Sequence, residues 1–189
     1  MAVQLSSFEA AQRRTKILEA ARWCFLNFGF AKTSLEDIAK RASLSRTLLY
    51  RTFKDKEEIF GAVFEDWVIS RRPRAEEAAA RAGRARARLL EVCRIMVLEP
   101  WEELICTPMG GEFLEACARI APEREALHQE IMLGCVSSII GDRATAEVFL
   151  LSLDGLLSDQ PSMTILDQRI EILADRFVSS SIKRVKQHD

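Results

Sequence analysis

Between Ser45 and Arg51 the chain reads Ser-Arg-Thr-Leu-Leu-Tyr-Arg. On a helix, Arg46 and Tyr50 lie four residues apart, as do Thr47 and Arg51, so the two pairs share one face. Leu49 and Phe53, also four apart, point inward. A short helix that offers two guanidiniums, a phenol and a hydroxyl, with no carboxylate of its own, suits a groove lined by phosphates and base edges. Guanidinium and hydroxyl donors reach phosphate oxygens and the acceptors on bases alike. The bland alternative is a solvated basic face on an ordinary helical hairpin.

The stretch that must position this helix runs from Thr33 to Lys56. Thr33 can cap a preceding helix with Glu36 at its third position, a capping box. Leu35, Ile38, Ala39 and Ala42 then recur at i, i+3, i+4 and i+7 and predict one buried face. Ser43-Leu44-Ser45 reads as the turn, with Ser45 capping the second helix. Lys54-Asp55-Lys56 supplies a capping Asp and a Lys in the first turn of the next helix. That Lys opposes the helix dipole, an oddity that a nearby phosphate would explain. The whole is a helix-turn-helix pattern whose second helix would enter the major groove. On this reading Arg46, Thr47, Tyr50 and Arg51 meet bases and phosphates, beside Ser45 at the start of their helix, and Thr33, Ser34 and Lys56 hold the backbone.

Upstream, Ile17, Ala20, Ala21, Cys24, Phe25 and Phe28 keep helical spacing as the buried face of a first helix that Gly29 ends. Residues 1 to about 10 are expected to form a mobile arm. Arg13, Arg14 and Lys16 are either phosphate contacts or a solvated helix start.

Four motifs fall in register: Phe25 to Gly29 as F-x-x-x-G, Thr33-Ser34 to Ile38-Ala39, Ser45 with Leu49-Tyr50 and Phe53, and Lys54 with Lys56. In combination they resemble the TetR family of transcriptional regulators over roughly residues 13 to 60. The resemblance implies an all-α, dimeric, DNA-binding protein of about nine helices. Residues 1–54 would form a three-helix DNA-binding domain and residues 55–189 a ligand-binding and dimerisation domain. The last two helices would pack on their symmetry mates. Three positions depart from the family pattern. Ser43 stands where a turn Gly is common, at a cost of ~1 kcal/mol if its φ is positive. Thr47 replaces a frequent Gly and Thr52 a frequent aromatic or His, and both bear on which operator is read.

Composition bounds the rest. In 189 residues the 48% hydrophobic content is that of a globular protein, and only 5 Pro and 8 Gly beside abundant Ala, Leu, Arg and Glu favour helices. The net charge of −1 hides an asymmetry. Residues 1–60 carry eleven basic and seven acidic side chains, and the remainder sixteen and twenty-one, the footprint of local DNA contact on an acidic body. The start has no signal-peptide core, and no apolar run reaches the ~20 residues of a membrane span. Five cysteines without C-x-x-C spacing read as reduced thiols of a cytoplasmic protein; a redox pair is the rarer alternative.

Beyond residue 55 the pattern predicts a helix carrying Ile59, Phe60, Val63, Phe64 and Trp67, a boundary near Pro73, and a join at Gly83. A buried helix follows that Pro100 kinks or stops, then a loop over Thr107 to Gly111. Helices near 113–121, 123–140, 143–158 and 163–185 complete the chain. Met96, Trp101, Met109, Phe113, Met132 and Cys135 are large, soft or aromatic groups available to an apolar pocket, though each is as easily plain core. The ligand itself is implied by the resemblance.

Catalysis finds no footing. Of the two His, His188 lies in the tail and His128 stands alone on a helix, in no metal-ligand pattern. Cys117, His128 and Cys135 lack zinc spacing, and no cofactor loop is present. With the resemblance, the expected partners are double-stranded operator DNA, a second copy through the last two helices and an unidentified, apolar small effector, with no membrane. Two rivals remain: a helical small-molecule binding protein without specific DNA binding, and a helical enzyme using Cys117 or His128.

Overall fold

The computed structural model describes residues 2–185, with side chains from 8 to 178. It is helical with no strand among the described residues. In order, the helices are α1 (Ala2–Phe28), α2 (Leu35–Arg41), α3 (Arg46–Tyr50), α4 (Lys56–Phe64), α5 (Arg72–Ala80), α6 (Ala85–Cys93), α7 (Glu99–Ile105), α8 (Gly110–Ile120), α9 (Pro122–Ile140), α10 (Arg143–Leu157) and α11 (Met163–Val185). A π turn over Glu65–Ile69 prolongs α4, and another over Arg94–Leu98 joins α6 to α7. Pro100 therefore does not stop this helix. The wider turn before it bonds Glu99 N–H to the Arg94 carbonyl, a five-residue step that accommodates a ring without an N–H. At the other end of the chain, helix already starts at Ala2 where an arm was expected; Met1 and His188 lie outside the described residues.

The helices form two compact units, residues 1–69 with 104–125 and residues 70–103 with 126–189. Compactness thus divides the chain differently from a functional cut at residue 54.

The first unit is built on aromatic rings. Phe25 and Phe60 are fully buried, and Phe30, Phe60, Phe113 and Trp67 form a chain of ring contacts at 5.0–5.4 Å between centroids. Such pairs add ~0.5–1.5 kcal/mol each beyond their burial. Helix α8 closes the unit. Its Glu112 carboxylate accepts the Phe30 N–H at 3.0 Å, and the Leu26 carbonyl accepts the Met109 N–H just before α8 at 3.0 Å. Gly29, with φ +82°, ends α1 beneath that carboxylate, where a Cβ would sit 2.6 Å from a Glu112 oxygen. Phe28, expected in the core, is 44% exposed. At the last position of α1 it turns out and meets Trp23 edge-on at 5.2 Å, with the Arg41 guanidinium 3.4 Å from the Trp23 ring.

The second unit packs α5 on α6, α6 on α11 and α10 on α11. Arg71 bridges Glu99 and Glu103, Arg74 pairs with Glu99, and Arg86 pairs with Asp175. Phe149 in the middle of α10 meets Phe177 of α11 at 5.2 Å, and the short connection from Leu157 to Met163 makes the two helices an antiparallel pair. The Trp101 indole N–H donates to the Pro161 carbonyl at 2.9 Å and pins their connection. No helix among the described residues is long and apolar enough to cross a membrane.

Candidate nucleic-acid interface

Helix α3 has five residues, too few to be stable alone. Its geometry is imported. Ser45 caps it, accepting the Leu48 N–H at 3.3 Å, and Leu49 is fully buried. Thr52 Oγ1 donates to the Leu48 carbonyl at 3.0 Å, and the buried Phe53 lies 4.8 Å beneath the Arg14 guanidinium. Arg46, Thr47, Tyr50 and Arg51 all remain exposed, Tyr50 by 57%. The structure brings these four together on one open face.

That face is not free of carboxylate. Glu36, contributed by α2, pairs with Arg46 through its Oε2. The bond holds the Glu36 carboxyl below its ordinary range and raises the guanidinium. Both side chains are more than half exposed, and surface pairs contribute only ~0–1 kcal/mol. Arg46 can therefore leave Glu36 for a phosphate or a guanine at little cost.

The turn before α3 has the strain expected of it. Ser43 adopts φ +56°, one of two non-Gly residues with positive φ among those described. Its N–H donates to the Lys40 carbonyl at 3.2 Å, and the Leu44 N–H to Ala39 at 2.9 Å, which ends α2 compactly.

Helix α2 begins one residue later than its sequence pattern suggests. Ser34 is the cap, and Asp37 completes the capping box. Ser34 is exposed, with its hydroxyl donating to Asp37 Oδ2 at 2.5 Å; these bonds hold the Asp37 carboxyl below its usual range. Thr33 is 2% exposed and its hydroxyl donates to the Gly29 carbonyl at 2.7 Å. Lys56 also faces inward. Its Nζ donates to the carbonyls of Phe30 at 2.7 Å and Thr33 at 2.9 Å, and lies 4.3 Å from the centre of the Phe30 ring. The lysine that opposes the α4 dipole thus has two carbonyl partners inside the protein, which explains its position without a phosphate. Thr33 and Lys56 serve the frame of the interface: the Thr33 hydroxyl is buried, and the half-buried Lys56 ammonium is engaged by main-chain carbonyls.

Of the six pocket candidates, Met109 and Phe113 belong to the first unit and Met96, Trp101, Met132 and Cys135 to the second. Phe113 is consumed by ring packing, and the Trp101 N–H by Pro161. A cavity of about 490 Å³ opens in the second unit among α5, α6 and α9, and of the six only Cys135 lines it. Arg72, Glu76, Arg88, Leu127 and Ile131 share that lining and escaped the sequence reading, which searched for soft apolar groups. Among the described residues no three His, Cys, Asp or Glu side chains gather as a metal site. Burial raises the Cys24, Cys117 and Cys135 thiols and pushes Cys93 up to about 12, which keeps them protonated and unreactive.

These features were compared with known proteins. A family model described as bacterial regulatory proteins of the tetR family matches residues 17–63. The HTH-type transcriptional regulator TtgR of Pseudomonas putida is 31% identical over 193 residues, covering 92% of this chain and 90% of that protein. The uncharacterized HTH-type transcriptional regulator YhgD of Bacillus subtilis is 36% identical over 66 residues, so the match spans about a third of its length. Among solved structures, SCO4454, a TetR-family transcriptional regulator from Streptomyces coelicolor, superposes with a TM-score of 0.71 at 17% identity. That superposition covers 90% of this chain and 96% of the other.

Proposed function

The chain belongs to the TetR family of bacterial transcriptional regulators, and from that premise we propose that a two-fold dimer of it reads a palindromic operator with paired α3 helices and represses transcription until a small effector releases it. As a DNA-binding regulator it would act in the cytoplasm. The observation that carries the proposal is the α3 face. Arg46, Thr47, Tyr50 and Arg51 are exposed together on a helix whose other side is locked into the core. Arg46, Thr47, Tyr50 and Arg51 would meet base edges and phosphates, with Ser34 and Ser45 at the exposed helix starts on either side of the turn.

A single short helix gives little affinity, and two of them separated by ~34–36 Å meet successive major grooves on one side of the duplex. The last two helices offer the means of pairing. Val148 is 54% and Leu151 71% exposed on α10, and Ile165 and Ile172 are also open on α11. Apolar side chains at these spacings on adjacent helices mark a surface awaiting a partner, here the same surface of a second copy. In this arrangement residues 1–54 bind DNA, and residues 55–189 dimerise and hold the effector. An effector acts if it binds the released form better than the operator-bound form.

The test is a fluorescence-anisotropy titration of the full chain with duplexes selected from a random library, at two salt concentrations against scrambled competitor. The selected palindrome should bind at least ~10³-fold tighter than scrambled DNA. Arg46→Ala should weaken that site by ~1–3 kcal/mol and relax its specificity. Weak, sequence-indifferent binding would leave a helical small-molecule binding protein in place of a regulator.

A further inference from the structure

We propose that the cavity of the second unit takes a small amphiphile with a carboxylate head and an apolar body, the head seated on Arg88. The inference rests on the effector reading and gives that effector a chemical class.

Arg88 leaves α6 and lines the cavity. Its Nη1 donates to the Ala79 carbonyl at 2.9 Å, which fixes the plane of the guanidinium. Its Nε is buried and makes no hydrogen bond. Glu76 and Glu130, the two acids in the lining, are paired elsewhere, with Arg72 at 2.7 Å and Arg143 at 3.4 Å. Among the described residues no carboxylate pairs with Arg88. A guanidinium anchored through Nη1 leaves Nη2 as its free donor, and a fixed cation in the lining attracts a carboxylate oxygen through a charge-assisted hydrogen bond.

The rest of the lining suits a hydrocarbon body. Leu127 and Ile131 stand one turn apart on α9, facing Ala79 and Ala80 of α5. At ~30 Å³ per water-sized group, about 490 Å³ holds on the order of fifteen heavy atoms, the size of a medium-chain or monoaromatic acid. Polyanions fit poorly, because the carboxylates of Glu76 and Glu130 stand in the same lining.

Gly134 gives a clean way to plug the site. It lines the cavity on α9, and a Cβ built there meets nothing within 4 Å. Gly134→Leu starts its side chain from open space in the cavity lining, at a position where leaving Gly favours the helix.

The experiment is isothermal titration calorimetry of the full-length protein with decanoate and its neutral counterpart decanamide, both below aggregation, at neutral pH. Decanoate should bind at least tenfold tighter than decanamide. Arg88→Met should bring the two within about twofold, Arg88→Lys should keep part of the preference, and Gly134→Leu should abolish both, with far-UV circular dichroism unchanged in all three. Equal affinities in the unmodified protein would overturn the proposal, as would a preference that survives Arg88→Met or decanoate binding that survives Gly134→Leu. Operator release measured alongside separates the two levels. If decanamide binds as well as decanoate and releases DNA, the effector reading stands and the acid head falls. If decanoate binds through Arg88 and leaves DNA bound, the site stands and its role as the effector site falls.

Discussion

Lys56→Met tests whether this lysine belongs to the frame or to the DNA surface. The substitution keeps most of the aliphatic stem and removes an ammonium that donates to the Phe30 and Thr33 carbonyls at 2.7 and 2.9 Å. A hydrogen bond from a charged donor contributes ~1.5–3 kcal/mol. The site is only half-buried, so water can reach the freed carbonyls and the low end applies. The contact with the Phe30 ring, at 4.3 Å, adds ~0.5–1 kcal/mol. The expected loss is therefore ~2–3 kcal/mol, and at ~2–4 °C per kcal/mol for a chain of this size the melting temperature should fall by ~5–10 °C. The salt slope of operator binding should stay the same, because an inward ammonium releases no counterion. Thermal melts at fixed protein concentration and a plot of log Kobs against log salt read both quantities. A melting temperature that holds, with a slope reduced by ~0.9 per half-site, would mean that Lys56 neutralises a phosphate, and would refute the internal role.

Three further outcomes follow. Ser43→Gly should stabilise the protein by ~0.5–1 kcal/mol in urea titration, since φ +56° costs an L-residue about that much and Gly almost nothing; Ser43→Val should destabilise it. His128 has a buried Nδ1 without a hydrogen bond, and desolvation lowers its pKa to about 4. The unfolded chain takes up this proton near the ordinary value of ~6.5, so its contribution is fully present above that pH and is lost as pH falls towards 4. The loss approaches ~3 kcal/mol, and a His128→Leu protein should show a correspondingly flatter stability profile between pH 7 and 4 in urea titrations. Leu151→Glu should shift sedimentation equilibrium towards monomer and weaken operator binding without lowering helix content, because Leu151 is 71% exposed in the single chain and a charge there meets only the partner; an undisturbed dimer would place the interface elsewhere.

Helical periodicity made α9, α10 and α11 legible nearly to the residue, because Gly141 and Asp142 separate two strongly apolar repeats and Asp142 caps the second. The cap of α2 was ambiguous by construction. Thr33 and Ser34 are both hydroxyl residues followed three positions later by an acid, and the choice turns on the Gly29 carbonyl, which draws the Thr33 hydroxyl inside. Phe28 kept the spacing of the α1 core, but periodicity carries no information about a side chain at the last residue before a left-handed glycine. The Glu36–Arg46 pair and the Glu112–Phe30 bond connect residues 10 and 82 apart, and nothing local announces either. The cavity escaped for a different reason. It is lined by alanines, aliphatics and charged stems from α5, α6 and α9, residue types that in a sequence are indistinguishable from ordinary helix surface.

The structure separates the energy of the fold from the chemistry of readout more sharply than the sequence suggested. Leu49, Phe53, Thr33 and Lys56 hold α3 through buried apolar contact and hydrogen bonds to main-chain carbonyls. Arg46, Thr47, Tyr50 and Arg51 contribute almost nothing to that frame; even the Arg46–Glu36 pair is a solvated one. Under the proposed readout, substitutions at the four outer positions would change the operator without endangering the fold, since exposed sites seldom move stability by more than ~0.5 kcal/mol. Substitutions at the inner four change stability first and DNA binding only through it. This gives the departures at Thr47 and Thr52 different meanings. Thr47 lies on the open face, where the proposed readout would have it bear on which bases are read, whereas Thr52, half-buried with its hydroxyl on the Leu48 carbonyl, acts by closing the end of α3.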